Sequence, residues 1–164
     1  MATNTMERPS GSGKKSDTIV DVIAAEHNRL RALFDRLHAE KDADKKARND
    51  LWAKTKKELL AHHEAEEESL FNALVQTSKD ARHESLHAIS EHGEHKKVIE
   101  QMEDMSPDDE DWDDKFEELR HDVFHHLEEE EEDVLPLVGD VLSDEKAREL
   151  GAKYRKIHAD EMGD

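Results

Sequence analysis

Apolar residues recur along this chain at steps of three and four with charged residues between them, a helical pattern that holds from residue 17 almost to the end. The first stretch puts Ile19, Ile23, His27, Leu30, Phe34 and Leu37 on one face, with Ser16 or Asp17 placed to cap it. The charged segment AEKDADKKARND ends this helix or bridges to the next. A second helix, from residue 51 to about residue 75, aligns Trp52, Leu59, His62, Glu66, Leu70 and Ala73, and the polar QTSKD then turns the chain. A third, over residues 81 to 105, aligns Ala88, His92, His95, Ile99 and Met102 but leaves Leu86 and Ile89 off the stripe. SPDDED, with Pro107, marks a loop and the acidic start of a fourth helix. That helix carries Trp112, Phe116, Leu119, Val123, Val134 and Leu137, and Pro136 with Gly139 is expected to end or kink it. A last helix after Ser143, with Ala147, Leu150, Tyr154 and Ile157 on its apolar face, is expected to pack outside the others as a lid or brace.

Polar residues interrupt these stripes at matching places. In HHLEEEEEDVLP, residues 125 to 136, the apolar stripe runs through His126 and Glu130, an imidazole and a carboxylate one turn apart on a buried face. A buried carboxylate without a charged partner is costly, and a metal cation is the simplest partner for it. The spacing alone is cheap in so acidic a chain, and a lone histidine such as His27 is readily explained as a hydrogen-bonded core residue. The repeat is stronger evidence. A shift of 64 residues carries Trp52 onto Phe116, Leu59 onto Val123, His62 onto His126, Glu66 onto Glu130, Leu70 onto Val134 and Phe71 onto Leu135. The same shift brings His27 to within one residue of His92. The chain therefore reads as two helical hairpins, each with a histidine on its first helix and HxxxE on its second. The repeat also selects His62 with Glu66 and His126 with Glu130 over the neighbouring pairs His63 with Glu67 and His125 with Glu129. Residues four apart on a helix have Cβ atoms about 5 to 6 Å apart. Four antiparallel helices would then assemble a dinuclear cage of four imidazoles and two carboxylates, as metal sites in bundles are built.

Composition narrows the chemistry. The length of 164 residues fits one domain: a polar tail over 1–16, a four-helix bundle over 17–142 and a C-terminal helix over 143–164. A net charge of -19 argues against nucleic acid and anionic membranes as partners. Hydrophobic content is only 34%, so a bound metal would add stability that a thin core does not supply. With no cysteine, thiolate sites and cysteine nucleophiles are excluded, and the 12 histidines with carboxylates suit iron, zinc or manganese. The first 16 residues hold no apolar run of signal-peptide length and no later stretch reaches a membrane span, so a soluble cytoplasmic protein is expected.

With these motifs in place, the sequence resembles the hemerythrin-like proteins that carry an HHE cation-binding domain. The family pattern H…HxxxE…H…HxxxE stands here as His27, His62 with Glu66, His92, and His126 with Glu130. Surrounding segments match as well: AEHNRLRALFDRL, HHEAEEESLF, EHGEHKKVIEQMEDMSPDD, HHLEEEEEDVLP and ELGAKY. The resemblance implies an all-α, up-down-up-down four-helix bundle with an additional C-terminal helix. It further implies two iron ions, Fe2+ or Fe3+, bridged by Glu66, Glu130 and an oxo or hydroxo group and capped by the histidines, and dioxygen, nitric oxide or hydrogen peroxide as the bound species. Oxygen-carrying members typically have HxxxH on helix three and HxxxxD on helix four, whereas Lys96 and Glu131 stand at those positions. One histidine ligand is thus absent unless His95 supplies it, which favours redox chemistry, such as peroxide decomposition under oxidative or nitrosative stress, over oxygen carriage. The competing readings are a metal-binding, oxygen-sensing or iron-handling module without turnover, and a purely structural acidic bundle. Glu67, Glu131 and nearby acids are candidates to orient the histidines, most of them otherwise reading as solvated surface.

Overall fold

The computed structural model describes residues 17–40 and 44–164; the expected tail over residues 1–16 lies outside them. Among the described residues the fold is all helical: α1 (Ile19–Ala39), α2 (Lys45–Glu66), α3 (Lys79–Glu103), α4 (Glu110–Glu129) and α5 (Asp144–Met162). Two π-helical turns, Glu67–Phe71 and Glu130–Val134, follow α2 and α4 and lead into the short segments Asn72–Leu74 and Leu135–Val141. No helix among the described residues is long and apolar enough to cross a membrane.

Caps set the helix starts. Thr18, rather than Ser16 or Asp17, caps α1 through a reciprocal box with Asp21, which satisfies two orphan N–H groups at once. Asp44 caps α2, so this helix begins at Lys45, six residues before the expected start, and the charged linker supplies its first turn. Ser78 and Ser143 cap α3 and α5.

Cross-helix contacts fix the directions. Phe34 stacks on Phe116 while His27 meets Glu130, so α1 and α4 run antiparallel. Lys56 pairs with Glu103 and Glu67 with His92, which makes α2 and α3 antiparallel. The apolar side chains form two clusters. One contains Phe34, Trp52, Trp112, Phe116, Leu119 and Val123; the other contains Ile23, Leu70, Phe71, Val134, Leu150 and Tyr154. The interrupting histidines and glutamates of each helix fall between them.

The π turns correct the expected phase of the stripes. A π turn places one extra residue in its turn, which advances the buried face by a position. Leu74 and Val138 are accordingly buried where Ala73 and Leu137 were expected, and Phe71 and Leu135 face the core. Pro136 does not end the helix, because it stands in the first turn after the π turn, where a missing N–H costs little. Gly139 likewise lies within the helix, which continues to Val141.

α5 packs along α1 and α2, burying Ala147, Leu150, Gly151 and Tyr154. α2 is therefore covered on two sides, which accounts for buried Glu58, Ala61 and Ala65 off its ligand stripe. A Cβ on Gly151 would stand 2.7 Å from the carbonyl oxygen of Asp17, so only glycine permits this approach of α5 to the start of α1.

Candidate metal centre

The six residues singled out by the repeat meet in the interior. His27, His62, Glu66 and Glu130 form one group, and Glu66, His92, His126 and Glu130 form a second; within each group the donor atoms lie within 4.8 Å of one another and all the residues are buried. The two glutamates belong to both groups. Glu66 Oε2 is 3.2 Å from His62 Nε2 and 3.7 Å from His27 Nε2, and its Oε1 is 3.2 Å from His92 Nε2. Glu130 Oε1 is 2.8 Å from His27 Nε2 and its Oε2 is 3.7 Å from His126 Nε2.

The Nδ1 atoms explain why the Nε2 atoms face inward. His27 Nδ1 is held by Glu131 at 2.8 Å, His92 Nδ1 by Glu67 at 2.8 Å and His126 Nδ1 by Glu91 at 2.6 Å, while His62 Nδ1 meets the Tyr154 hydroxyl at 2.5 Å. A carboxylate accepts only, so Nδ1 carries the proton and Nε2 presents its lone pair to the interior. Arg31 holds Glu131 in turn through two hydrogen bonds of 2.9 Å. His126 holds the carboxyl of Glu91, though burial opposes it, down to about 2.

Lone pairs and carboxylates gathered in this way repel one another unless positive charge lies among them. Both oxygens of Glu66, Oε2 of Glu130 and Nε2 of His62 are buried without a hydrogen bond. Ligands bound about 2.1 Å from a common ion lie about 3.0 to 3.4 Å apart for octahedral to tetrahedral angles, and the donor separations of 2.8 to 3.7 Å around Glu66 and Glu130 have this scale. The residues present therefore fit two cations, one per group, sharing the glutamates.

Protons take the place of those cations in the metal-free chain. Burial pulls His27 and His92 down, but Glu130 and Glu66 beside His27 push it up to about 10, and Glu66 and Glu67 push His92 up to about 9. His27 then donates Nε2–H to Glu130, and His92 donates Nε2–H to His126 Nε2 at 3.1 Å. Burial drives His62 down to about 4 and lowers His126 as well. Burial and the charge of Glu66 raise Glu130 well above the carboxylate range, whereas the neighbouring histidines outweigh burial to hold Glu66 well below it. Each group thus contains one imidazolium where a metal would carry the charge.

The rival residues separate cleanly. His125 and Glu129 pair at 3.3 Å on the surface, with His125 59% exposed. His63 is buried but stacks on the His92 ring, with centroids 3.9 Å apart, and lies outside both donor groups. His95 also lies outside them; its Nδ1 is 3.3 Å from His63 Nε2, and burial holds it down to about 3. Lys96 is exposed. Glu67 and Glu131, grouped with the solvated acids in the sequence reading unless they oriented a histidine, do orient one each. Sequence reasoning missed Glu91 and Tyr154. The signal for Tyr154 was its position as the single tyrosine on an apolar stripe, since a buried phenol needs a polar partner. A cavity of about 10 Å³, roughly the room one water needs, lies against Glu91, His126, Glu129 and Glu130.

Comparison with known proteins bears on the family. The family model described as the Hemerythrin HHE cation binding domain matches residues 18–138. A curated protein named DNA nickase, from Nostoc sp. (strain PCC 7120), is 28% identical over 145 residues, covering 88% of this chain and 40% of the relative. The chain thus spans well under half the length of that relative. No solved structure matches.

Proposed function

Since the chain belongs to the hemerythrin HHE cation-binding domain family, we propose that it is a non-haem di-iron protein that binds dioxygen, nitric oxide or hydrogen peroxide and decomposes peroxide. The observation that carries the reading is the pair of donor groups sharing Glu66 and Glu130, in which both Glu66 oxygens and Glu130 Oε2 are buried without a hydrogen bond among the described residues. An all-nitrogen-and-oxygen donor set of histidine and carboxylate suits iron. When bound, such a pair of cations supplies Lewis acidity and redox equivalents toward a small oxygen-containing ligand.

The chain's own residues do the remaining work. His27 and His62 would hold one cation and His92 and His126 the other, with Glu66 and Glu130 common to both. Glu131, Glu67 and Glu91 keep a proton on Nδ1 of their histidines and so keep Nε2 available. The apolar clusters on either side of the centre exclude bulk water, and the small cavity beside His126 has room for about one water.

The relative's name attributes DNA cleavage to that protein, and a net charge of -19 works against docking on a phosphate backbone. The experiment is to load the chain with ferrous iron under anaerobic conditions, then measure iron per chain, visible absorption on adding peroxide, peroxide decay and nicking of supercoiled plasmid. Close to two irons per chain, a charge-transfer band and peroxide loss are expected. Gas-binding spectra without peroxide loss would favour a sensing module. Plasmid nicking, or less than about one iron per chain, would sink the proposal.

A further inference from the structure

The C-terminal helix reaches the metal centre, and it does so outside residues 18–138, the span of the family match. Tyr154 is 1% exposed, and its hydroxyl lies 2.5 Å from Nδ1 of His62. Its ring is set from both sides. It stacks on His158, with centroids 6.0 Å apart and planes 12° apart, and His158 Nε2 is anchored by Glu58 at 3.1 Å and Glu26 at 3.5 Å. Gly151 and the Arg155 pair with Asp17, at 2.5 Å, press the same helix onto the start of α1.

This partner differs in kind from the three others. His27, His92 and His126 each give Nδ1–H to a carboxylate, which accepts only and therefore admits a single orientation of the proton. A carboxylate behind an imidazole also raises the basicity of the nitrogen on the other side. A tyrosine hydroxyl is neutral, and it can donate as well as accept. Donating to Nδ1 of His62 puts the imidazole proton on Nε2, which faces Glu66 Oε2 at 3.2 Å and cannot then take a cation. Accepting from Nδ1 frees Nε2. Two carboxylate-backed histidines serve the His92–His126 group, whereas the His27–His62 group has one.

Resting on the di-metal reading above, we propose that Tyr154 is the positioning residue for His62 and makes the two halves unequal, so that the His92–His126 half fills first and the His27–His62 half second and more weakly. Removing the hydroxyl leaves Nδ1 of His62 without its acceptor and penalises only the second ion. Loss of such an outer partner typically lowers metal affinity about 10- to 100-fold.

The test is an anaerobic titration of the full, metal-free chain with Co2+ alone, followed by calorimetry and by the visible d–d bands. Wild type should take two ions in a tight step and a weaker one. Tyr154→Phe, which keeps the ring and its packing, should weaken the second step about 10- to 100-fold and alter the second ion's d–d spectrum while leaving the first unchanged. Glu91→Gln, behind His126, should instead weaken the first step. A melt of each metal-free variant separates bracing from positioning. Equal weakening of both steps in Tyr154→Phe together with a lower metal-free melting temperature, no change in either step, or two equal steps in wild type would overturn the inference. A wild-type chain that binds no cobalt would instead overturn the di-metal reading itself.

Discussion

Glu66→Gln is the most informative single change, because both of its carboxylate oxygens are buried without a hydrogen bond and face His62, His92 and His27 at 3.2, 3.2 and 3.7 Å. Glutamine keeps the shape and removes the charge shared by both cation positions. A ligand present at a hundredfold over its dissociation constant stabilises the folded chain by about 2.7 kcal/mol, so two independent ions contribute about 5 kcal/mol. At roughly 2 to 4 °C per kcal/mol for a chain of this size, saturating metal should raise the wild-type melting temperature by about 10 to 20 °C. The variant should lose most of that increment, because each position loses a charged ligand. Without metal, the variant leaves the His27 and His92 imidazoliums without the carboxylate they share, and removing one partner of a buried ion pair is destabilising, so the metal-free melting temperature should fall as well. Paired melts by circular dichroism, with and without ferrous iron, give the four temperatures required. An equal metal-induced rise in wild type and Glu66→Gln, or none in either, would refute the reasoning.

Other outcomes follow from the same geometry. Metal-free stability should fall on both sides of neutrality. His27 and His92 are raised to about 10 and about 9 from an ordinary 6.5, so their contribution is complete below 6.5 and is lost as pH rises through 9 and 10. Buried His62 and His95, lowered to about 4 and about 3, are penalised as pH falls below 6.5, and a metal-free melting temperature flat from pH 4 to 10 would contradict this. Metal uptake near pH 7 should release protons, because His27 and His92 must give theirs up, and calorimetry in buffers of different ionisation enthalpy should detect it. His125→Ala should change neither metal content nor stability by more than about 0.5 kcal/mol, since the His125 side chain is exposed. Gly151→Ala should cost about 1 to 3 kcal/mol, because the new methyl meets backbone at Asp17, Thr18 and Ile19 rather than a movable side chain; an unchanged melting temperature would argue against the close approach of α5.

The repeat picked out in the sequence the six residues that the structure gathers in its interior. His62 and His126, Glu66 and Glu130 lie on apolar stripes that superimpose at one shift, and two constraints met at the same positions. The stripe itself failed beyond the glutamates. Ala73 and Leu137 continue a regular α-helical period, but the chain buries Leu74 and Val138, because the π turns at Glu67–Phe71 and Glu130–Val134 break that period. Pro136 is the visible mark of this change in α4, though it reads equally as a stop. The start of α2 was hidden by charge. Lys45 to Asp50 looks like linker until the Asp44 cap and the Arg48 contact with Asp113 are known. Glu91 and Tyr154 were unreadable for another reason: each acts on a histidine of a different helix, 35 and 92 positions away, and no local period records such a pairing.

The division of the apolar side chains into two clusters bears on how the chain opens. The aromatic end holds Trp52, Trp112, Phe116 and Phe34, and the other end holds Phe71, Leu135, Leu150 and Tyr154. Between them lies a layer held, without cations, by hydrogen bonds between histidines and glutamates rather than by apolar packing. Local unfolding follows such seams. In native-state hydrogen exchange the metal-free chain should therefore behave as two units with separate opening free energies, and metal should merge them into one. The cage is then the joint that makes a duplicated hairpin fold as a single body.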